Sequence, residues 1–380
     1  MPQILRAYKY AILPTEEQKQ QLAKFFGSCR FVYNLGLETK LQAWTSARKH
    51  LTCIDLANQM KELKDTEAEW LQECPSQTLQ MSLRNLDNAY TNFFRCGGFP
   101  KFKSKHHKQS IQFPQGVKID FESGTIFLPK LKTVTCVFHR QFKGDIKTVT
   151  LSKTTTGKYF VSILIDNQKE LPKKKPVRQK TTVGIDMGVK TFATLSDGTV
   201  FENPKHLRCT LKRLRVEQRK LSRRFKKGAK EQSRSYIRQK LVLAKLHEHI
   251  KNQREDYLHK ASINIIRSFD SICLEDLNIR GMMQNEKLAL AIGEVGWHKF
   301  KSMLEYKADW NGKNIQYIGR FEPSSKLCSH CGHIFKDLSL KDRYWTCQSC
   351  GTTHDRDCNA AKNIKNFVLR FKPATANVSH

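Results

Sequence analysis

The sequence predicts a multidomain chain that changes class along its length. An α+β half, with a small β-barrel interrupted by an inserted helical segment, is followed by an α/β domain carrying an inserted four-cysteine zinc module. Three observations lead there. Short β-rich runs fill residues 111–166 after a helical stretch, apolar strands with isolated carboxylates begin near residue 181, and two Cys-x2-Cys pairs stand close to the C-terminal end. With 380 residues and 39% hydrophobic content, the chain has material for two or three proper cores.

The opening ILRAYKYAI reads as a strand. Pro14-Thr15 followed by Gln18 is a capping box, after which Leu22, Phe25, Phe26, Cys29, Val32 and Tyr33 recur at helical spacing. A second amphipathic helix is expected from about Ser76, with Leu79, Leu83, Leu86, Tyr90, Phe93 and Phe94 on one face, and both stripes read as core. VKIDF, TIFLP, KTVTCVFHR, IKTVTLSK and KYFVSILID are then separated by turn pairs such as Ser123-Gly124 and Gly157-Lys158, the texture of an antiparallel sheet or barrel. Joining the opening strand to them assigns the barrel to 1–11 and 106–170 and makes 12–105 a helical insertion. A polar, basic, proline-bearing stretch, 171–180, reads as a linker.

The α/β domain is assigned to 181–325 and 354–372. TTVGIDMGVKTFATLSDGTVF suggests two adjacent strands turning near Gly188, and a long helical stretch covers roughly 205–267. A strand within SFDSICLEDLN, a helix around Gly296 to Asn311, a strand in KNIQYIG, the cysteine module at 326–353 and a last helix from about Asn359 complete it. Residues 373–380 read as a loose tail. No internal repeat is visible.

Charge narrows the partner. Lys+Arg outnumber Asp+Glu by 67 to 35, a formal net charge of +32, which calls for a polyanion. A membrane surface is the weaker choice, because the sequence has no apolar run of spanning length, no signal peptide in MPQILRAYKYAIL and no lipidation box. Between residues 205 and 260 there are 19 Lys/Arg against 5 Asp/Glu, without the alternating signs of a salt-bridged solvated face, so nucleic-acid contact is the preferred reading there. The scattered Cys29, Cys53, Cys74, Cys96, Cys136, Cys209, Cys273 and Cys358 share no spacing. In a chain without a secretory signal they read as small buried hydrophobes.

Two kinds of metal site are implied. Cys328 and Cys331, then Cys347 and Cys350, match the four-thiolate zinc pattern, each pair followed by a glycine (Gly332, Gly351) that supplies the freedom a knuckle turn needs. A closed four-sulfur site has no open position, so this zinc is structural. Asp186 inside the apolar VGIDMG, Glu275 near the end of SICLEDLN and Asp357 in HDRDCNAAKNI are separate carboxylates, and a charge in an apolar strand is costly unless it is paired or binds a cation. A first-strand Asp beside Gly, a Glu ending a later strand and an Asp opening the final helix describe the acidic centre of an RNase H-like fold. There carboxylates converge on two Mg²⁺ ions about 3.5–4 Å apart for phosphodiester hydrolysis. Hard divalent ions, Mg²⁺ or Mn²⁺ in its place, require oxygen ligands. The pair Ala360-Ala361, which lets the last helix pack closely, favours Asp357 over Asp355, and Asp276 is read as a cap.

The motifs GIDMGVKTFA, LEDLN, PSSKLCSHCG, CQSCG and HDRDCNAAKNI, in this order, resemble the TnpB proteins of insertion sequences, RNA-guided DNA endonucleases related to the type V CRISPR effectors. GSCRFVYN, LQMSLRNLDNAYTNFF and GFPKFKSK are similar to that family's wedge and recognition regions, and the resemblance runs from about residue 3 to 367. It implies a wedge-like barrel, a helical recognition domain, a RuvC-like nuclease domain and a zinc-ribbon domain that binds target nucleic acid. It also implies a guide RNA from the element's right end, a short transposon-adjacent motif on duplex DNA, and one site that cuts both strands. Carried over residue by residue, the catalytic acids fall on Asp186, Glu275 and Asp357, and the zinc ligands on the four cysteines. A protein that grips an RNA–DNA hybrid by its backbone needs a positive channel. Arg30, Lys101, Lys103 and Lys105 in the N-terminal half, with Arg219, Arg223, Arg224, Lys226 and Lys227, are the candidate contacts.

The alternative is an RNA-guided repressor without significant cleavage. The presence of all three acids weighs against it. A transposase that transfers strands itself has little support: His247-Glu248-His249 has a charged centre where such an enzyme needs a hydrophobic residue, and it also falls short of a zinc-protease motif. The expected setting is the cytoplasm of a prokaryote, on the nucleoid. The protein is expected as a monomer with its RNA, because no exposed apolar stripe is left unassigned.

Overall fold

The computed structural model describes residues 3–370 apart from 96, 107, 230 and 340, so the expected tail and Cys96 lie outside the described residues. The chain divides into two compact units, the first ending at Glu170 and the second beginning at Leu171.

In the first unit, β1 (Gln3–Leu13) leads into α1 (Glu16–Ala47), α2 (Cys53–Thr66) and α3 (Ser76–Arg95). The capping box forms: the Thr15 hydroxyl accepts from the Gln18 amide at 3.3 Å and the Gln18 side chain accepts from the Thr15 amide at 3.0 Å. A second box, Thr52 with Asp55, starts α2, which the apolar periodicity alone did not reveal. Strands β2 (Gln109–Phe113), β3 (Lys118–Asp120), β4 (Thr125–Leu128), β5 (Lys132–Val137), β6 (Asp145–Lys153) and β7 (Tyr159–Glu170) follow. They form one antiparallel sheet in the order β2-β6-β7-β1-β5-β4-β3, with the opening strand at its centre. Hydrogen bonding therefore gives a sheet with two edges, not the closed barrel expected. The three-residue β3, with Lys118 and Asp120 exposed, ends the ladder without reaching β2. One core unites the two layers, Phe25, Leu37 and Leu83 from the helices with Phe113, Ile126 and Val161 from the sheet.

The second unit opens with a segment that is tied down. The Lys175 amide donates to the Gly312 carbonyl at 2.9 Å, the Lys175 ammonium reaches Asp270 at 3.0 Å, and the Asn314 amide donates to the Lys175 carbonyl at 2.7 Å. Within residues 171–180, read from the sequence as a linker, Lys175 is thus tied to the body of the second unit.

Strands β8 (Thr182–Met187), β9 (Thr191–Leu195) and β10 (Val200–Glu202) form an antiparallel meander. The third was missed because its Phe201 is only half-buried between exposed neighbours. The basic stretch is two helices, α4 (His206–Arg224) and α5 (Arg234–Ser268), parted at 225–233 where Gly228 takes φ of +80°. β11 (Ser271–Glu275), α6 (Ile279–Met282), α7 (Glu286–Val295), α8 (Trp297–Trp310) and β12 (Asn314–Ile318) follow, with β11 parallel to both β8 and β12. The sheet order is β10-β9-β8-β11-β12. A small ribbon, β13 (Tyr344–Thr346) and β14 (Thr353–Asp355), runs into α9 (Arg356–Arg370).

Period-two alternation divides this sheet cleanly. Val183, Ile185, Ile272 and Leu274 face α5 and α8, while Cys273 and Ile318 face Ile364 and Val368 of α9. Gly184 lies on the α9 face, and a Cβ there would sit 2.0 Å from the Ala361 carbonyl oxygen, so only glycine lets the helix approach. Of the scattered cysteines, Cys29, Cys74, Cys136 and Cys273 are buried as expected. Cys53 and Cys358 are half-buried and Cys209 is exposed on α4, because the helices that carry them present those positions to solvent. No helix among the described residues is long and apolar enough to cross a membrane.

Candidate functional site

Asp186 is the residue after Ile185 on β8, and Glu275 the residue after Leu274 on β11. Ile185 and Leu274 are partners in the parallel ladder, so the two acids stand side by side at the carboxyl ends of neighbouring strands. Both point to the α9 face, where Gly184 seats the helix whose first turn carries Asp357. The three therefore gather at one place. Burial pushes the Asp186 carboxyl up to about 8, the negative charges of Glu275 and Asp357 add to the shift, and Arg356 and Arg343 partly offset it.

The other two acids are held by partners that sequence reasoning did not find. Ser324 donates its hydroxyl to Glu275 at 2.5 Å. Arg343 and Arg356 pair with the two oxygens of Asp357 at 2.8 and 3.3 Å. Buried Asn363 on α9 donates to the Ser324 carbonyl at 2.7 Å, while Asn359 donates to the Leu327 carbonyl at 2.7 Å and accepts from the Ser329 amide at 2.9 Å. The two asparagines, four apart in NAAKN, thus strap the 324–329 segment to the helix; this spacing was the available signal. Asp355 accepts from the Cys358 amide at 2.8 Å, capping α9, which leaves Asp357 as the acid turned to the site. Asp276 is not a cap: it pairs with Arg320 at 3.0 Å and Lys301 at 3.6 Å, and Asn278 caps α6. A cleft of about 610 Å³ opens over Asp186 and Asp357, and Lys190, Lys205, Arg208 and Lys326 line it together with the two arginines. Its chemistry suits a polyanion laid across carboxylates.

The sulfurs of Cys328, Cys331, Cys347 and Cys350 lie within 4.8 Å of one another. The cross-pairs Cys328 to Cys350 and Cys331 to Cys347 measure 3.7 and 3.6 Å, close to the ~3.8 Å edge of a tetrahedron with ~2.3 Å zinc–sulfur bonds. The Gly332 and Gly351 amides donate to the Cys328 and Cys347 carbonyls at 2.9 Å, with φ of +81° and +69°, which is the knuckle geometry expected. The set fits a structural zinc. His354, buried against Trp345, brings Nε2 within 3.0 Å of the Cys328 sulfur, an outer contact that orients a thiolate ligand.

The expected cationic contacts differ in availability. Arg219 and Arg223 line a shallow recess on α4 with Arg215, and Lys226 and Lys227 stand exposed beyond it. Arg224 is tied to Gln239 at 2.6 Å. In the first unit, Lys101, Lys103 and Lys105 are all exposed, and the Lys103 ammonium lies 3.7 Å over the Tyr33 ring, where partial desolvation lowers its pKa. Arg30 contacts Gln109 at 3.3 Å.

Carboxylates gathered at strand ends under a basic cleft, with a four-thiolate module strapped to the same helix, define a protein that processes nucleic acid. Comparisons with known proteins narrow this class. The “Probable transposase” model of the IS605 OrfB family matches residues 162–286, a Cas12f1-like TNB domain matches 297–364, and the OrfB helix-turn-helix model matches 1–49, a stretch whose described residues include β1 and α1. A Streptomyces pristinaespiralis protein named “Putative RNA-guided DNA endonuclease” is 37% identical over 96% of this chain and 89% of its own length. Escherichia coli K12 InsQ, described in the same words, is 35% identical over 95% of this chain and 91% of its own. The chain belongs to this family, the OrfB or TnpB proteins of insertion sequences. A Cas12f1 chain solved by cryo-EM with guide RNA and target DNA shares the fold, with a TM-score of 0.58 at 14% identity over 96% of this chain and 99% of that one.

Proposed function

We propose that this protein is an RNA-guided DNA endonuclease of an insertion element. It holds a guide RNA derived from the element's right end, recognises a short adjacent motif on duplex DNA and cuts both strands at a single site. The observation that carries this reading is the convergence of Asp186, Glu275 and Asp357, with the Asp186 proton held to about 8 by burial and by its two acidic neighbours. Such mutual repulsion is relieved by divalent cations with oxygen ligands, so the donor set fits Mg²⁺, with Mn²⁺ as a substitute. When bound, the ions supply Lewis acidity to the attacking water and the leaving oxygen.

The side chains divide the remaining work. Asp186, Glu275 and Asp357 would hold the metals; Ser324 orients Glu275, and Arg343 and Arg356 orient Asp357. Lys190, Lys205, Arg208 and Lys326 draw the phosphate backbone into the cleft. The strand order β10-β9-β8-β11-β12, a meander followed by two parallel strands, supports an RNase H-like, RuvC-type domain at 181–325 and 354–372. On the same reading, 1–11 and 106–170 serve as the wedge, 12–105 as the recognition domain and 326–353 as the target-binding zinc ribbon. The protein acts on the nucleoid in a prokaryotic cytoplasm.

The test is cleavage by the protein purified with its element's right end, given a guide-matched duplex beside a randomised flank in Mg²⁺. Depletion of targets with one short flank, abolished by Asp186→Ala while RNA and DNA binding persist, is the expected result. Binding without depletion would replace the nuclease with a repressor.

A further inference from the structure

One surface of the first unit is not used by the reading above. The last turns of α1 and α3 and the segment after α3 enclose an apolar groove of about 290 Å³, lined by Trp44, Tyr90, Phe93, Phe94 and Phe99. It overturns the expectation that no exposed apolar stripe remains. Phe94 is 77% exposed, Trp44 51% and Phe99 44%, although the sequence assigned Phe94 to the core. Phe99 packs edge-on against Tyr90 at 5.8 Å and against Phe93 at 5.2 Å, so these rings form one continuous wall.

The surroundings are cationic. Lys40, Lys49 and His50 are in the lining, which contains no acid, and the Arg48 guanidinium lies 5.4 Å over the Trp44 ring. Lys40 is consumed internally, ion-paired to Asp87 at 2.8 Å and bonded to the Leu51 carbonyl at 2.5 Å, and so forms part of the floor. Exposed flat rings beside positive charge are the chemistry of an unpaired base whose phosphates pass over the rim.

We infer that this groove is a stacking site for an unpaired nucleobase of the guide RNA, an inference that rests on the RNA-guided reading. RNA is the chosen source because an exposed aromatic patch marks an interaction site and the rim of this one, with Lys49, His50 and Arg48, is cationic. Single-stranded RNA also presents splayed bases that duplexes hide.

The test uses the full chain with a fifteen-residue oligouridylate, a duplex RNA of equal length and oligothymidylate as probes. Phe94→Ala, at an exposed position, and Trp44→Leu are expected to weaken oligouridylate binding by roughly tenfold each. They should leave the salt slope and duplex binding unchanged, because stacking releases no counterions. The RNA that copurifies should crosslink to this groove under ultraviolet light. Unchanged oligouridylate affinity, an equal loss on duplex RNA, a loss confined to oligothymidylate, or an RNA-free dimer dissolved by Phe94→Ala would each overturn the inference while leaving guided cleavage intact. If the wild-type chain binds no RNA, the guided reading falls and takes this inference with it.

Discussion

Asp186 is an acid whose folded-state pKa, about 8, lies above its unfolded value. Below about pH 4 both states are protonated and the difference has no effect. Between about pH 4 and 8 the unfolded chain releases the proton while the folded chain keeps it, so stability falls as pH rises through that window. Replacing the group by the neutral Asp186→Asn should remove the penalty. In the absence of divalent cations the variant should melt higher than wild type at pH 8, by about 2 kcal/mol after discounting for partial solvation, and equally at pH 4. Equal melting at pH 8 would show that neither burial nor the neighbouring carboxylates hold the proton on Asp186. The acid itself was legible because a charge in the apolar VGIDMG must be paired or bind a cation, and Glu275 and Asp357 stand in matching positions of later elements. The roles of Arg343, Ser324 and His354 were not, since each meets its partner only through long-range folding.

The elements around the site work as a seat and a strap. Gly184 is the seat: Gly184→Ala would drive a Cβ into the α9 backbone at Ala361, which cannot yield like a flexible side chain. The expected cost is about 3 kcal/mol or more, read by chemical denaturation, with loss of cutting. An α9 that tolerated alanine without either effect would not be packed as described. The strap is the zinc module, because β13 and β14 deliver both Arg343 and the start of α9. Cys347→Ser or chelation should therefore remove one zinc per chain, measured by atomic emission, and abolish cleavage while the basic helices still bind RNA. Cleavage that survived zinc loss would separate the module from the site. At this scale the strong periodic signals, the capping box at Thr15, the paired knuckles and the sheet strands, were readable in the chain. Not legible were the helices α2 and α7, short elements with little burial such as β10 and α6, and the break between α4 and α5, where a run of like charges hid the turn at Gly228.

Across the whole molecule, a net charge of +32 would be self-repelling without a polyanion. Composition alone named that partner, but it does not say which cations are free to touch it. Lys103 lies on Tyr33 and Arg224 holds Gln239, whereas Arg219 and Arg223 share an open recess one helical turn apart. Binding of the guide RNA should therefore fall linearly on a log–log plot against salt. If the two arginines each neutralise one phosphate, Arg219→Ala with Arg223→Ala should flatten the slope by about 1.4, taking ~0.7 per single-stranded phosphate. Lys103→Ala should change the slope little and show its effect in stability instead, since its ammonium is committed to a ring. A double arginine variant that keeps the full wild-type slope would move the channel off α4. If Lys103→Ala flattened the slope instead, the first unit would hold more of the RNA backbone than its packing suggests.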